Sequence, residues 1–243
     1  MNLALRCAAM GALLGLSILT SANASSDSHN SSGNEVVQVK GMVATLIKDN
    51  QAYMRGKNKA YFQKFADKQT PRATVVTCSD SRVHTPAMDM SPDNDLFMVR
   101  NIGNQLATAE GSVEYGVRHL NTPLLIFIGH AVCGAVKAAS GDYSSLEEPI
   151  KRELVTIQIP KGIDVTDGVL LNVNQQVEQA MAKFKDLTGE GKLAVIGAFY
   201  DFRNDLGMGF GKLVITNVNG ETDPDKVRTS IAGGHLLGSP GTR

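Results

Sequence analysis

LLIFIGHAVCGA, residues 124–135, decides the fold. Five apolar residues run without alternation into Gly129, and His130 and Cys133 follow at once. A strand covered on both faces reads as such an unbroken run, whereas a strand with one wet face alternates. Three other segments share the character: 73–77, 96–99 and 193–199. Stretches of helical period lie among them, at 108–120, 134–140, 146–156 and 167–187. Strands separated by helices imply a parallel sheet with right-handed crossovers. The last apolar run, 212–218, follows 193–199 across a short Gly-rich link with no helix, so these two form a hairpin. The expected architecture is α/β: a mostly parallel sheet of four strands plus an antiparallel edge strand, flanked by helices.

Outside this sheet the chain changes texture. Residues 1–24 carry one positive charge, Arg6, an apolar centre and the small-residue sequence Ala22-Asn23-Ala24. That pattern predicts a secretory signal peptide cut after Ala24, since the apolar stretch is short for a membrane span. Residues 25–34 are polar and read as a flexible linker. From residue 35 a helical pattern begins, with Val39, Met42, Val43, Leu46 and Ile47 recurring at helical spacing and a break at Gly56. This is an amino-terminal helical arm, and 35–220 is taken as one domain. The final stretch GGHLLGSPGTR, residues 233–243, lacks periodicity, and residues 221–243 are expected to be a mobile tail.

Composition excludes several classes of function. The 243-residue chain has 24 Lys+Arg and 24 Asp+Glu, so no basic excess points to nucleic acid or an anionic membrane. No later apolar run reaches membrane-spanning length, so no membrane association is expected after cleavage. Signal removal leaves Cys78 and Cys133 as the cysteines. In an exported protein such a pair is ordinarily read as a disulfide.

The residues around those cysteines argue otherwise. In an open α/β sheet, ligands bind beyond the carboxyl ends of the strands. Cys78 ends one strand in VVTCSDSR, and His130-x-x-Cys133 ends another, so all three can meet on one rim. A Cys₂His set suits Zn²⁺, and three protein ligands leave the fourth tetrahedral position open, as in catalytic sites. Two thiolates offset the charge of the ion, so a neighbouring group must tune the open position. Asp80 and Arg82 are the candidates. Bonded to Arg82, Asp80 is held off the metal; released, it can take the fourth position.

The motifs CSDSRV, RNIGN (residues 100–104), GHAVCGA and GAFYDF (residues 197–202), in this order and spacing, resemble a β-class carbonic anhydrase over residues 35–218. The resemblance implies one Zn²⁺ per chain on Cys78, His130 and Cys133. It makes Asp80 and Arg82 a switchable catalytic dyad, with Asp80 a metal ligand in a closed state only. It also implies a homodimer or dimer of dimers embraced by amino-terminal helices. The activity implied is reversible hydration of CO₂ to bicarbonate and a proton, by attack of zinc-bound hydroxide. The subgroup that closes its site has tryptophan three residues before the first cysteine. Val75 stands there and the chain has no tryptophan, which predicts the open arrangement. The export signal further predicts a periplasmic location. The alternatives are a CS₂ or COS hydrolase on the same fold, a thiol–disulfide protein and a silent zinc module. His84 reads as an exposed loop histidine. GMGFGK (residues 207–212) reads as a hairpin link, because Leu213 stands where a phosphate loop needs Ser or Thr.

Overall fold

The structure is a computed structural model describing residues 31–237. The expected signal peptide, linker residues 25–30 and tail residues 238–243 lie outside the described residues. Residues 1–62 and 63–243 form separate compact units. The first contains α1 (Ser31–Arg55), and α2 (Lys59–Gln63) follows across Gly56, where the break was expected. Helix α1 begins inside the stretch read as linker, at residues 31–34. Ser, Gly and Asn are residue types that serve a helix start as readily as a linker. The apolar stripe of α1 is exposed, with Val39, Met42, Val43, Leu46 and Ile47 each at least half accessible.

The second unit carries the sheet. Its elements are β1 (Ala73–Cys78), β2 (Leu96–Asn101), α3 (Glu110–Glu114), β3 (Leu124–His130), α4 (Gly134–Ser140), α5 (Glu148–Leu154), α6 (Val165–Lys183), α7 (Lys185–Gly189), β4 (Ala194–Asp201), β5 (Lys212–Val218) and α8 (Pro224–Ala232). The strand order is β2-β1-β3-β4-β5. All neighbours are parallel except β4 and β5, which pair antiparallel. This is the expected sheet. Every residue of β1 is buried, as are the last six of β3, while the edge strands β2 and β5 are half-covered. The unbroken apolar runs thus mark strands with helices or loops on both faces.

Helix α6 is the main buttress of one face. Asp164 caps it, its carboxylate accepting from the amides of Thr166 and Asp167. Two glycines let it settle onto the strands. A Cβ on Gly129 would stand 2.5 Å from Val169 Cγ1, and one on Gly197 would stand 2.7 Å from Val173 Cγ1. Val169, Val173, Val177 and Ala180 make the buried stripe that fills this interface.

Two expectations need correction. The helix read over 108–120 is a short α3 that widens into a π-type turn at Tyr115–His119. Gly116 lies there against Thr74, where a Cβ would meet Thr74 Oγ1 at 2.2 Å, so contact with β1 overrides the helical period. The tail read as structureless from residue 221 contains α8. Asp223 accepts from the amides of Asp225 and Lys226, and Pro224 occupies the first turn, a start signal of the ordinary kind. Among the described residues, no helix is long and apolar enough to cross a membrane.

Candidate metal centre

Because β1 and β3 are adjacent and parallel, their carboxyl ends open on one edge of the sheet. Cys78 is the last residue of β1 and His130 the last of β3. The chain then turns back through Val132, which sits at φ +53°, and Cys133 precedes the first turn of α4. A β-branched residue in the left-handed region is unusual and marks a turn held by its surroundings. The ligand atoms of Cys78, His130 and Cys133 all lie within 4.8 Å of one another, and all three residues are buried. Both cysteines are free thiols in this structure.

The donor set fits a zinc ion. His130 Nδ1 lies 2.9 Å from the Ala131 carbonyl oxygen, which only a protonated Nδ1 can satisfy. The Nε2 lone pair is thereby turned to the cluster, and Nε2 is buried with no hydrogen-bond partner. An orphaned buried nitrogen beside two thiols is what a metal position leaves when its ligand atoms are considered alone. Charge leads the same way. The Cys78 thiol is held down to about 4, chiefly by the hydrogen bond from Cys133, against the opposing effect of burial. Cys133 is correspondingly pushed up, by its bond to Cys78 first and by burial next. Without a cation the pair keeps one proton; a divalent cation makes both thiolates favourable.

Asp80 and Arg82 sit over this cluster. Arg82 donates from Nε to Asp80 Oδ1 at 2.9 Å and from Nη2 to Oδ2 at 2.7 Å. The Arg82 backbone amide adds a third bond to Oδ1, at 2.9 Å. The guanidinium holds the Asp80 carboxyl well below the usual carboxylate range, against the desolvation of its site. Asp80 Oδ2 is 3.9 Å from His130 Nε2. Arg82 is itself fixed by a bond to the Val132 carbonyl at 3.2 Å and by the Phe202 ring, whose centroid lies 4.7 Å from its central carbon. The five residues expected from sequence therefore come together.

Other participants carry no role in the sequence reading, although the quoted motifs contain several of them. Arg100 donates to the carbonyl oxygens of Cys78 and Asp80, at 3.1 and 2.9 Å, and so ties down the loop between them. The Gly103 amide donates to Cys78 Sγ at 3.5 Å. Phe202 backs both Arg82 and His130, with ring centroids 6.1 Å apart in the second case. His84 is exposed, as expected. The GMGFGK stretch joins β4 to β5, with Gly207, Gly209 and Gly211 all at positive φ.

Residues 73–207 match a family model described as carbonic anhydrase. The chain belongs to the carbonic anhydrase family. Carbonic anhydrase 2 of Mycobacterium tuberculosis is 43% identical over 72 residues, covering 29% of this chain and 35% of the relative. A carbonic anhydrase of Synechococcus elongatus is 39% identical over 83 residues, covering 31% and 30% of the two chains. These alignments thus span about a third of each curated relative. Solved structures show the β-class fold over more of the chain. A tetrameric β-carbonic anhydrase from Sordaria macrospora superposes with TM-score 0.59 at 24% identity, over 73% of this chain and 96% of that one. A Coccomyxa β-carbonic anhydrase in complex with acetazolamide gives 0.59 at 21% identity, over 81% and 99%.

Proposed function

We propose that the chain catalyses reversible hydration of CO₂ to bicarbonate and a proton at a zinc centre held by Cys78, His130 and Cys133. The observation carrying this reading is the buried trio, with its partnerless His130 Nε2, lying under a bidentate Asp80–Arg82 pair. Zinc in such a site supplies Lewis acidity and lowers the pKa of water to about 7, giving a nucleophile at neutral pH.

The protein's own residues set the rest. Cys78 and Cys133 provide two thiolates, and the Ala131 carbonyl fixes the tautomer in which His130 offers Nε2. Asp80 stays ionised through neutral pH and faces the site as an acceptor only. It would accept a hydrogen bond from the attacking oxygen, remaining ionised, and so turn the oxygen lone pair towards CO₂. Arg82 uses its fork to hold Asp80, which would keep that carboxylate from competing with water for an ion on the trio. Phe202 and the Val132 carbonyl in turn keep Arg82 in place.

Stopped-flow CO₂ hydration by metal-quantified protein tests the proposal, with COS and CS₂ assayed alongside. Hydration that scales with bound zinc supports it. Turnover of COS or CS₂ without CO₂ hydration overturns it in favour of a sulfur-substrate hydrolase on the same site.

The proposal includes assembly and location. The exposed apolar stripe of α1 supports a homodimer or a dimer of dimers, since a surface stripe of that kind is normally covered. Sedimentation at micromolar concentration tests this, and a strict monomer overturns it. The sequence pattern of residues 1–24 supports export to the periplasm with cleavage after Ala24. A periplasmic fraction whose mature chain begins at Ser25 is the expected result.

A further inference from the structure

Three neutral amides are buried between α6 and the RNIGN loop: Gln105, Asn172 and Gln176 are each at most 1% exposed. Gln105 Nε2 donates to the Gly103 carbonyl at 2.6 Å, and Asn172 Nδ2 donates to the same oxygen at 3.0 Å. The two amides also bond to each other, Gln105 Nε2 to Asn172 Oδ1 at 2.7 Å. Gln176 completes the set by accepting from the Leu106 amide at 2.7 Å and donating to Gln105 Oε1 at 3.2 Å. Thr156 adds a hydroxyl to Gln105 Oε1, also at 3.2 Å.

What this network holds is the carbonyl of a glycine that has no side chain of its own to anchor it. Gly103 lies at φ +78°, and a Cβ there would stand 2.6 Å from Ile157 Cδ1. With no side chain to pack, its orientation depends on the bonds of its flanking peptides. One of those bonds runs from its amide to Cys78 Sγ. We infer that Asn172 and Gln105 are positioning residues of the metal centre: by clamping the Gly103 carbonyl they keep the Gly103 amide on the Cys78 sulfur. The inference rests on the reading of Cys78 as a metal ligand.

The chemistry gives the clamp a purpose. Two thiolates neutralise the charge of a divalent ion and blunt its Lewis acidity. An amide donated to one sulfur withdraws charge from that thiolate and restores part of the acidity. The clamp is anchored on α6, which Gly129 and Gly197 seat directly on β3 and β4. The scaffold thereby fixes the electron density of a ligand that sits on another strand.

The test uses full-length protein loaded with Co²⁺, whose thiolate charge-transfer bands report sulfur electron density, and zinc-loaded protein mixed with a chromophoric chelator. The variants are Asn172→Leu and Gln105→Met, each removing a donor to the Gly103 carbonyl at near-constant volume. The expected result is a charge-transfer band moved to lower energy and zinc release about 10-fold faster, in both variants. Asn174→Leu is the control. It lies on the same helix but accepts from Asn217 Nδ2 at 2.9 Å, away from the loop. It should lower thermal stability and leave the bands in place. Bands and release rates equal to wild type in folded Asn172→Leu or Gln105→Met protein overturn the inference, because a network that only supports the core moves stability alone. If Asn172→Leu does not fold, Gln105→Met decides. A wild-type chain that shows no thiolate charge transfer on Co²⁺ addition overturns the metal reading and the inference with it.

Discussion

Among the described residues, Arg82–Asp80 and Arg118–Asp186 are two of three forked arginine–aspartate pairs, the third being Arg72–Asp95, and the bonds of the first two are of similar length. At the metal centre Arg82 grips Asp80 with bonds of 2.9 and 2.7 Å; on the outer helices Arg118 grips Asp186 with bonds of 2.8 and 3.1 Å. Both aspartates are pulled down by their arginine before any other cause. The difference lies in what else each pair touches. Asp186 is half exposed, and its partner also meets Glu114, so the pair is one link in a solvated surface chain with Lys183 and Glu110. Asp80 is 17% exposed and lies 3.9 Å from a buried, partnerless imidazole nitrogen. A fork by itself says little about function. An acceptor aimed at an orphaned ligand atom says a great deal.

The largest effect should come from removing what distinguishes the first pair. Cys133→Ala takes away a buried ligand and should abolish both zinc retention and CO₂ hydration, read by metal analysis and stopped flow. Retained zinc at one per chain would mean the trio is not the ligand set. Next is Asp80→Ala, which should keep the zinc but lower kcat about 100-fold, because the acceptor that orients the attacking water is gone. An equally active variant would reduce the Asp80–Arg82 pair to the status of its surface counterpart. Arg82→Lys should cost about 10-fold in kcat with zinc retained, since a point charge cannot reproduce a two-bond fork stacked on Phe202. The same exchange at Arg118 should leave kcat within experimental error.

The smallest effect belongs to the surface pair and depends on pH. Asp186 is lowered to about 2, against an unfolded value near 3.9. A depressed carboxyl stabilises the fold above the unfolded value, and that contribution fades as pH falls through about 2. Asp186→Asn should therefore lower Tm by at most about 3 °C at pH 7 and by less with each step towards pH 2. A Tm difference that grows on acidification would show that the pair is not what Asp186 contributes.

Much of the sheet was legible because its signal is local. Unbroken apolar runs located all five strands, and the short Gly-rich link without a helix identified the antiparallel edge. Strand ends were underestimated where a polar residue closes the strand. Cys78, His130 and Asp201 keep their ladder positions although each breaks the apolar run. Helix α8 was missed despite a readable Asp223-Pro224 start, because it was read together with the aperiodic residues 233–243 as one tail. The convergence of Cys78, His130 and Cys133 was legible from residue type and strand-end position. The amide clamp was not. Asn172 and Gln176 stand four apart on α6, the spacing of a solvated face, and only their company with Val169, Val173 and Val177 hints that this face is buried. The left-handed Val132 was equally hidden, since a valine there runs against its own backbone preference.

The placement of the ligands on neighbouring strands also fixes a sequence of events in time. His130 and Cys133 are close in the chain, but Cys78 precedes them by about fifty residues and reaches them only once β1 and β3 have paired. Long-range parallel contacts of this kind are intrinsically slow to form, because the loop entropy is lost before the contact rewards it. In the unfolded chain, a metal held by His130 and Cys133 would gain Cys78 only by closing a loop of about fifty residues, an entropic cost that the paired strands have already met in the native fold. Capture by all three side chains is therefore expected to tighten as β1 pairs with β3. In a refolding experiment, the appearance of the full cobalt–thiolate bands should trail the formation of helix and follow the closure of β1 on β3.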